Sequence, residues 1–281
     1  MRFLASRAHL LRWPLVAVAV LLAVPAPQAG QAPVETRRRA FDESLDLYVR
    51  DGWVYYRALK SQRAVLDGYV DALASALVNA APREEQIAFW LNAYNAIVLQ
   101  TIIDHYPIVQ RTRDYPPRSV RQIPGAFERL THRVAGQMVT LDQIEQKVLS
   151  TFGDPRVYFA LGRGAVGSGR LRSEAYTGAQ LERQLADDAS ECLAHAQCVA
   201  VDAADNKVKV SSIFSWREAD FDAAYSDKAP PIFSMRSPVE RAALAFVQPR
   251  LLTTEREFLD QNAFKVEFIP FDWSLNDLTG R

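Results

Sequence analysis

The pattern of apolar and polar positions is densest between residues 82 and 105. A stripe at three- and four-residue steps, which is the spacing of one helix face, is formed by Ile87, Trp90, Tyr94, Ile97, Val98 and Thr101. Further apolar side chains fall on the other faces, so the pattern predicts a helix that is buried nearly all round. Pro82 suits the first turn of such a helix. Pro107, which follows His105 and Tyr106, predicts its end.

Two asparagines, Asn92 and Asn95, lie three residues apart inside this helix, on the same side of it. Burying a side-chain amide without hydrogen-bond partners costs about 1 to 3 kcal/mol, so each amide needs a partner. One interpretation is that both amides tie down neighbouring loops. The other is that they line a binding site, together with Tyr94 between them.

The flanking segments predict further helices and short strands. Residues 31–40 are polar and are predicted as a linker, and two helical stripes follow between residues 41 and 77. After the central helix we predict hairpins at residues 132–139 and 199–210, helices at 140–151, 177–193, 215–225 and 238–247, a buried strand at 157–161 and a final strand at 266–273. The sequence therefore predicts an α+β fold: one helix-rich domain over residues 41–281, built around the helix at about 82–105, with a small sheet.

The N-terminus predicts export. Arg2, Arg7 and Arg12 precede an apolar run at residues 13–24, and small residues and prolines follow to residue 32. This is the anatomy of a secretory signal peptide at residues 1–30, so we expect a periplasmic or secreted protein. An uncleaved N-terminal anchor is the alternative. No transmembrane span is expected in the mature chain, because the run is short for a membrane span.

The net charge of the chain limits the kinds of molecule that it is expected to bind. The whole chain has 33 basic and 33 acidic residues, and removing the three arginines of the signal peptide leaves a mature net charge of about −3. Such a chain lacks the general basic field of a nucleic-acid-binding protein. We therefore expect no nucleic acid as a partner, and either a small molecule or a protein of the cell envelope instead.

The two cysteines, Cys192 and Cys198, are six residues apart. In an oxidising compartment they predict a disulfide that closes a short loop at the end of a helix. His195 lies between them, but two thiols and one imidazole at this spacing lack the paired pattern of a zinc site. We expect no metal and no cofactor.

A glycine-rich loop follows the predicted strand at residues 157–161. Residues 162–167 read GRGAVG and match the pattern G-x-G-x-x-G, but a dinucleotide site also needs a helix that opens from the loop and a βαβ unit, and neither is evident. A second interpretation is a backbone nest for a small anion, lined by Arg163, Arg170 and Arg172. The third is a plain tight loop.

Residues 89–96, inside the predicted central helix, read FWLNAYNA. This stretch resembles the signature of the domain-of-unknown-function 547 (DUF547) family. Further blocks occur in the family's order: LDQIE at 141–145, DPR at 154–156, FAL at 159–161, SIFSW at 212–216, DF at 220–221 and FDWSLN at 271–276. Arg156 in the second of these blocks is a further candidate binding residue.

The resemblance also implies a set of reactive residues that this chain lacks. Where family members carry histidine, this chain has Gln146 and Tyr158, and where they carry two cysteines it has Arg163 and Ser168. Thiols and imidazoles of that kind would suit nucleophilic or metal chemistry. Their replacement favours a non-catalytic binding or envelope protein, which keeps the residues that maintain the family's fold and lacks the reactive ones. The alternative is a hydrolase or transferase with Ser168 as nucleophile, for which His132 and Glu145 are the candidate base and orienting group.

Overall fold

The computed structural model describes residues 31–279 of the chain; the predicted signal peptide at residues 1–30 lies outside them. The helices of this part are α1 (Gln31–Tyr48), α2 (Tyr56–Ser61), α3 (Ala64–Leu73), α4 (Arg83–His105), α5 (Leu141–Gln143), α6 (Leu181–Leu193), α7 (Ser212–Trp216), α8 (Glu218–Tyr225), α9 (Pro238–Val247) and α10 (Thr253–Asp260). The strands are β1 (Val49–Arg50), β2 (Trp53–Val54), β3 (His132–Val134), β4 (Gln137–Val139), β5 (Val199–Asp202), β6 (Lys207–Ser211) and β7 (Lys265–Ile269). The predicted helix-rich α+β fold is confirmed.

The central helix α4 is the core of the fold, as its apolar pattern predicts. Its side chains are buried at all but two positions from Ile87 to Ile103, and the two partly exposed exceptions are Phe89 and Gln100. Pro82 is the N-cap residue and not part of the first turn as predicted, so the helix begins one residue later, at Arg83. Glu84 and Glu85 lie in its first turn. Helices α2, α3 and α6 and the segment after Thr140 pack against α4. The helix thus touches elements from both halves of the chain.

The prediction of a linker at residues 31–40 is wrong, because α1 runs without a break through this segment. Glu35 bonds Arg38 at 2.6 Å and approaches Arg39 at 3.5 Å, which are pairs at helical spacing. Beyond this polar turn the helix buries Phe41, whose ring stacks on that of Tyr69 in α3 at 4.6 Å. The polar residues are therefore the exposed beginning of an amphipathic helix.

The predicted strand at residues 157–161 is also wrong. The chain forms a 3-10 helix there, Pro155–Phe159, whose N-cap is Asp154; the Asp154 carboxylate accepts a hydrogen bond from Arg156 N. A short apolar run is compatible with a strand or with a buried helical turn, and here the cap and Pro155 at the first position decide for the turn. Phe159 packs against Phe214, Phe221 and Phe246.

The predicted hairpins are confirmed. Strands β3 and β4 pair antiparallel across Ala135 and Gly136, both with positive φ, and β5 and β6 pair across a turn with Asn206 at φ 52°. Strand β7 joins β6 in parallel, which gives a three-stranded sheet of order β5-β6-β7. The final strand therefore ends at Ile269, four residues before its predicted end at residue 273.

The segment that begins at Thr140 has the predicted capping box: the Thr140 hydroxyl accepts from Gln143 N, and the Gln143 side chain accepts from Thr140 N. It continues from α5 through a π-helical turn, Ile144–Val148, and a 3-10 turn, Leu149–Phe152. The predicted helix at residues 215–225 is interrupted at Arg217, which lies between α7 and α8. Both irregularities bear on the candidate site.

Among residues 31–279, no helix has the length and apolar character that a membrane crossing requires.

Candidate functional site

A cleft with a volume of about 340 Å³ opens beside the π-helical turn and the α7–α8 junction. We call it the arginine–tryptophan cleft, and its lining residues are Arg121, Phe127, Asp142, Glu145, Gln146, Arg163, Trp216, Arg217 and Trp273. They come from five separate stretches of the chain, joined only by the fold. Irregular helical turns of the π type occur often at functional sites, and here one carries Glu145 and Gln146 into the lining.

Arg163 is the most deeply buried charge of the cleft, with 3% of its side chain exposed. Its guanidinium donates to Glu145 Oε1 at 2.8 Å and to the Tyr158 carbonyl at 3.2 Å. Burial alone would lower the pKa of Arg163, but the Glu145 charge and neighbouring groups outweigh burial and raise it. Arg163 is therefore a permanently charged structural residue, and its side chain is already engaged.

Arg217 forms a second bonded group with Tyr158. Its Nη2 donates to Asp220 Oδ2 at 2.6 Å and to Tyr158 Oη at 2.7 Å, and its guanidinium lies 4.4 Å from the centre of the Tyr158 ring. Tyr158 Oη in turn donates to Asp220 at 2.9 Å. Burial raises the pKa of Tyr158, so this hydroxyl stays protonated at physiological pH.

Aromatic rings form the opposite wall. Trp216 and Trp273 lie nearly parallel, with ring centroids 6.1 Å apart, and Phe271 contacts both at 4.9 and 4.5 Å. The Arg121 guanidinium lies 4.8 Å from the centre of the Trp273 ring and forms an ion pair with Glu128. Trp216 is 46% exposed, which makes it the accessible ring of this wall.

Asp142 differs from the other acids of the cleft. Its carboxylate makes no hydrogen bond or ion pair with any residue in the part of the chain that the structure describes, although it is only partly exposed. Burial, followed by the nearby charges of Glu128 and Glu145, raises the pKa of Asp142. It is an unpaired acid that faces the cleft.

The positions at which the family resemblance implies cysteine or histidine come together in space. Gln146 and Arg163 line the cleft, and Tyr158 holds both Arg163 and Arg217. Arg163 N donates to Ser168 Oγ at 3.0 Å, so the two residues at the family's cysteine positions lie next to each other. Sequence reasoning missed Arg121, Asp142, Trp216 and Arg217 as site residues. The sequence blocks at 141–145 and 212–216 contained a signal for Asp142 and Trp216.

Asn92 and Asn95 tie down neighbouring segments of the chain, which is the first of the two interpretations of the sequence. The Asn92 amide donates to the Tyr176 carbonyl and accepts from Tyr176 N, each at 2.8 Å. The Asn95 amide donates to the Ala160 carbonyl at 3.1 Å and accepts from Gly162 N at 2.8 Å. Both amides fasten distant backbone to the central helix. Neither is among the residues that line the arginine–tryptophan cleft.

The other candidate binding residues are Arg156, Arg172 and Tyr94, and none of them lines the arginine–tryptophan cleft. Arg156 bonds Asp154 and Glu182, each at 2.7 Å, and Arg172 bonds Glu174 at 2.6 Å and Asp188 at 2.8 Å. Tyr94 is fully buried, and its hydroxyl has no hydrogen-bond partner among the described residues. Burial raises the pKa of Tyr94, and the neighbouring Glu145 charge adds to the effect.

The predicted anion nest is not assembled. Arg163 bonds Glu145, Arg170 bonds Asp51 and Glu191, and Arg172 bonds Glu174 and Asp188. Arg163 lines the arginine–tryptophan cleft, whereas Arg170 and Arg172 line a separate pocket. The predicted dinucleotide alternative also fails, because the loop at 162–169 leads into irregular backbone, with no helix before residue 178.

Ser168 lies in a second cavity, of about 520 Å³, and is 92% buried, since only 8% of its surface is exposed. His195, Glu191 and the disulfide line the same cavity, with His195 Nε2 at 3.6 Å from Glu191 Oε1. The predicted partners of Ser168 lie elsewhere: Glu145 bonds Arg163 in the first cleft, and His132 lines neither cavity. His195 was not considered as a base in the sequence analysis.

The two cysteines form the predicted disulfide, with Cα atoms 5.5 Å apart. It joins the last turn of α6 to the residue directly before β5, as expected for a link at a helix end. Within residues 31–279, no group of three or more histidines, cysteines and acids is arranged to hold a metal ion.

The comparisons with known proteins concern the central part of the chain. The model of the family described as "Protein of unknown function, DUF547" matches residues 78–193, and this confirms the predicted resemblance over those residues. The matched segment includes α4, the π-helical turn, Arg163 and the disulfide's first cysteine. Neither the curated proteins nor the solved structures contain a match to the chain.

Proposed function

We propose that this chain, which carries the DUF547 family segment at residues 78–193, is an exported, non-catalytic protein that binds a small polar molecule in the arginine–tryptophan cleft. The observation that supports the proposal is the state of Arg163. It occupies a position where the resemblance implies a thiol, yet it is buried and held by Glu145. A guanidinium is neither a nucleophile nor a base at neutral pH, so this position supports binding without covalent chemistry.

The cleft has the size and surface of a ligand site. A volume of about 340 Å³ lies at the lower end of the range for small-molecule pockets, roughly 300 to 1,000 Å³. An exposed indole at Trp216 offers an apolar face, while Asp142 and Gln146 offer polar groups around it. A small molecule with one apolar face and a few polar groups fits this combination.

The binding function is tested by calorimetric titration with a panel of small polar probes: amino acids, ammonium compounds, monosaccharides and small carboxylates. We expect at least one probe to bind, and Trp216→Ala to weaken that binding by about tenfold or more while the melting temperature stays close to that of the parent. Ile232→Ala is the matched control, because Ile232 is similarly exposed (43%) and lies outside the cleft lining.

Two outcomes would contradict the proposal. If no probe binds, or if Trp216→Ala and Ile232→Ala bind every probe as the parent does, the cleft is not a ligand site. If a bound probe is converted to a product by the parent protein, the non-catalytic part of the proposal is wrong. Mass spectrometry of the titrated solution distinguishes conversion from binding.

The second candidate is a hydrolase or transferase that uses Ser168. One observation favours it: Ser168, His195 and Glu191 line one cavity of about 520 Å³. Against it, Ser168 Oγ accepts a hydrogen bond from Arg163 N, and within the described residues no imidazole is hydrogen-bonded to it. A serine hydroxyl without a base in hydrogen-bond reach is a poor nucleophile.

We therefore expect no labelling of Ser168 by fluorophosphonate probes, and Ser168→Ala to bind the cleft probes like the parent. Removal of a working nucleophile usually costs a factor of about 10³ or more in rate, so a catalytic serine would show itself clearly. Stoichiometric labelling of Ser168, abolished in His195→Ala, would replace the non-catalytic proposal by this second candidate.

A further inference from the structure

Among the charged side chains around the arginine–tryptophan cleft, one carboxylate is not paired with an arginine. Each of its three arginines is already bonded to an acid: Arg163 to Glu145, Arg217 to Asp220 and Arg121 to Glu128. Asp142 is the fourth acid, and it has no partner within the described residues. The group as a whole therefore has one negative charge in excess, located on Asp142.

This arrangement opposes the binding of an anion. A ligand carboxylate or phosphate would have to take donors from guanidiniums that Glu145, Asp220 and Glu128 already engage, and it would bring a second negative charge next to Asp142. Arg163 is in addition almost inaccessible, with 3% of its side chain exposed. The three arginines balance the surrounding acids and do not form an anion site.

The arrangement suits a cation. Asp142 lies near Arg121 and Arg163, which lower its pKa, but burial and the charges of Glu128 and Glu145 outweigh them, so its charge is incompletely balanced. The Trp273 ring is already covered by the Arg121 guanidinium, whereas Trp216 is 46% exposed at the cleft. A carboxylate and an accessible indole in one cleft are the two groups that together bind ammonium ions.

We propose that the molecule bound in the cleft carries an ammonium group, which Asp142 receives through its charge and Trp216 through its ring face. This inference rests on the proposed binding function and specifies its ligand as a small organic cation. A neutral molecule of the same shape would leave the Asp142 charge unbalanced in a partly buried position, which costs free energy.

The test compares two probes of one shape, choline and 3,3-dimethyl-1-butanol, in which a carbon replaces the charged nitrogen. Titration calorimetry on the protein with its disulfide intact should find choline bound at least about tenfold more tightly than the neutral alcohol. Asp142→Asn should weaken choline binding by about tenfold or more and leave the alcohol unaffected. Asp205→Asn, at an exposed hairpin position, is the matched control and should change neither.

The outcomes separate this inference from the proposed function. Equal binding of the two probes, or choline binding that Asp142→Asn leaves intact, would overturn the ammonium inference. If choline does not bind but a sugar or a carboxylate from the wider panel does, the cleft is a ligand site of another kind. If nothing in the panel binds, both proposals fail. Should Asp142→Asn not fold, the comparison of the two probes on the parent protein decides.

Discussion

At the scale of single residues, Asn95 connects the buried centre of the fold to the cleft. Its amide bonds the backbone at Ala160 and at Gly162, and Arg163 is the next residue along the chain. Gly162 itself lies close to the central helix, since a Cβ there would lie 3.5 Å from Asn95 Oδ1. Asn95 thus fixes the backbone from which Arg163 extends towards Glu145.

Replacement of Asn95 by leucine tests this role. We expect Asn95→Leu to lower the free energy of unfolding by about 1 to 3 kcal/mol, although leucine is the better helix former, because Ala160 O and Gly162 N lose their partner in the interior. Chemical denaturation measures the change. Asn79→Leu, the same substitution at an exposed position, should change stability by less than about 0.5 kcal/mol. A parent-like denaturation curve for Asn95→Leu would mean that these hydrogen bonds contribute nothing.

Asp188 makes a prediction about pH. Burial raises its pKa from 3.8 to about 6, even though Arg172 and the Tyr176 hydroxyl both bond its carboxylate and lower it; Asp187 adds a small increase. A raised carboxylate pKa means that the folded state holds the proton more tightly than the unfolded state. The stability that this group contributes is therefore full below about pH 4 and is lost as the pH rises through 6, by at most about 3 kcal/mol.

The measurement compares the parent with Asp188→Asn, which cannot titrate at this position. Between pH 7 and pH 4.5 the parent should gain stability relative to the variant, and subtraction removes the contribution of the other acids that both proteins share. A difference that is constant across this range, or that changes in the opposite direction, would show that Asp188 is not protonated in the folded protein at mildly acidic pH.

At the scale of elements, the disulfide joins two pieces of structure that sequence patterns identified separately, α6 and β5. Its loop of seven residues restricts the unfolded chain, and the loop-entropy relation gives a contribution of about 2 kcal/mol to stability. We expect the double variant Cys192→Ala with Cys198→Ala to lose about that amount in chemical denaturation. Thiol counting on unfolded, unreduced parent protein should find no free thiol; two reactive thiols per chain would contradict the pairing.

The elements that sequence predicts well are those with a local signal. The capping box at Thr140 and the turn at Ala135 and Gly136 each depend on residues within a few positions, and both are found where predicted. The apolar run at 157–161 has no such signal for a strand, because its burial comes from distant phenylalanines of α7, α8 and α9. The polar residues 31–40 predict a linker because nothing near them in the sequence shows that α1 packs on α3, at residues 64–73.

At the scale of the whole molecule, the cleft is the feature that sequence predicts least. Gln146 and Arg163 could be named in advance through the family resemblance, whereas Arg121 and Arg217 could not. Arg217 reaches the cleft because the helix breaks between α7 and α8, and Arg121 does so through its packing on Trp273, 152 positions later in the sequence. Neither contact has a counterpart in local periodicity, so a site built from five separated stretches needs the folded chain.

The last prediction concerns the cellular location of the whole protein. The basic residues before the apolar run at 13–24 and the small residues after it predict cleavage that leaves a mature chain beginning between Ala26 and Pro33. A disulfide suits the oxidising compartment to which such a signal leads. N-terminal sequencing of protein from the cell envelope and the medium should find a start within this window. A variant in which alanines replace the apolar run should remain inside the cell as the precursor. An intact Met1 on protein from the cytoplasmic fraction would contradict export, and the ligand of the cleft would then have to be sought among cytoplasmic molecules.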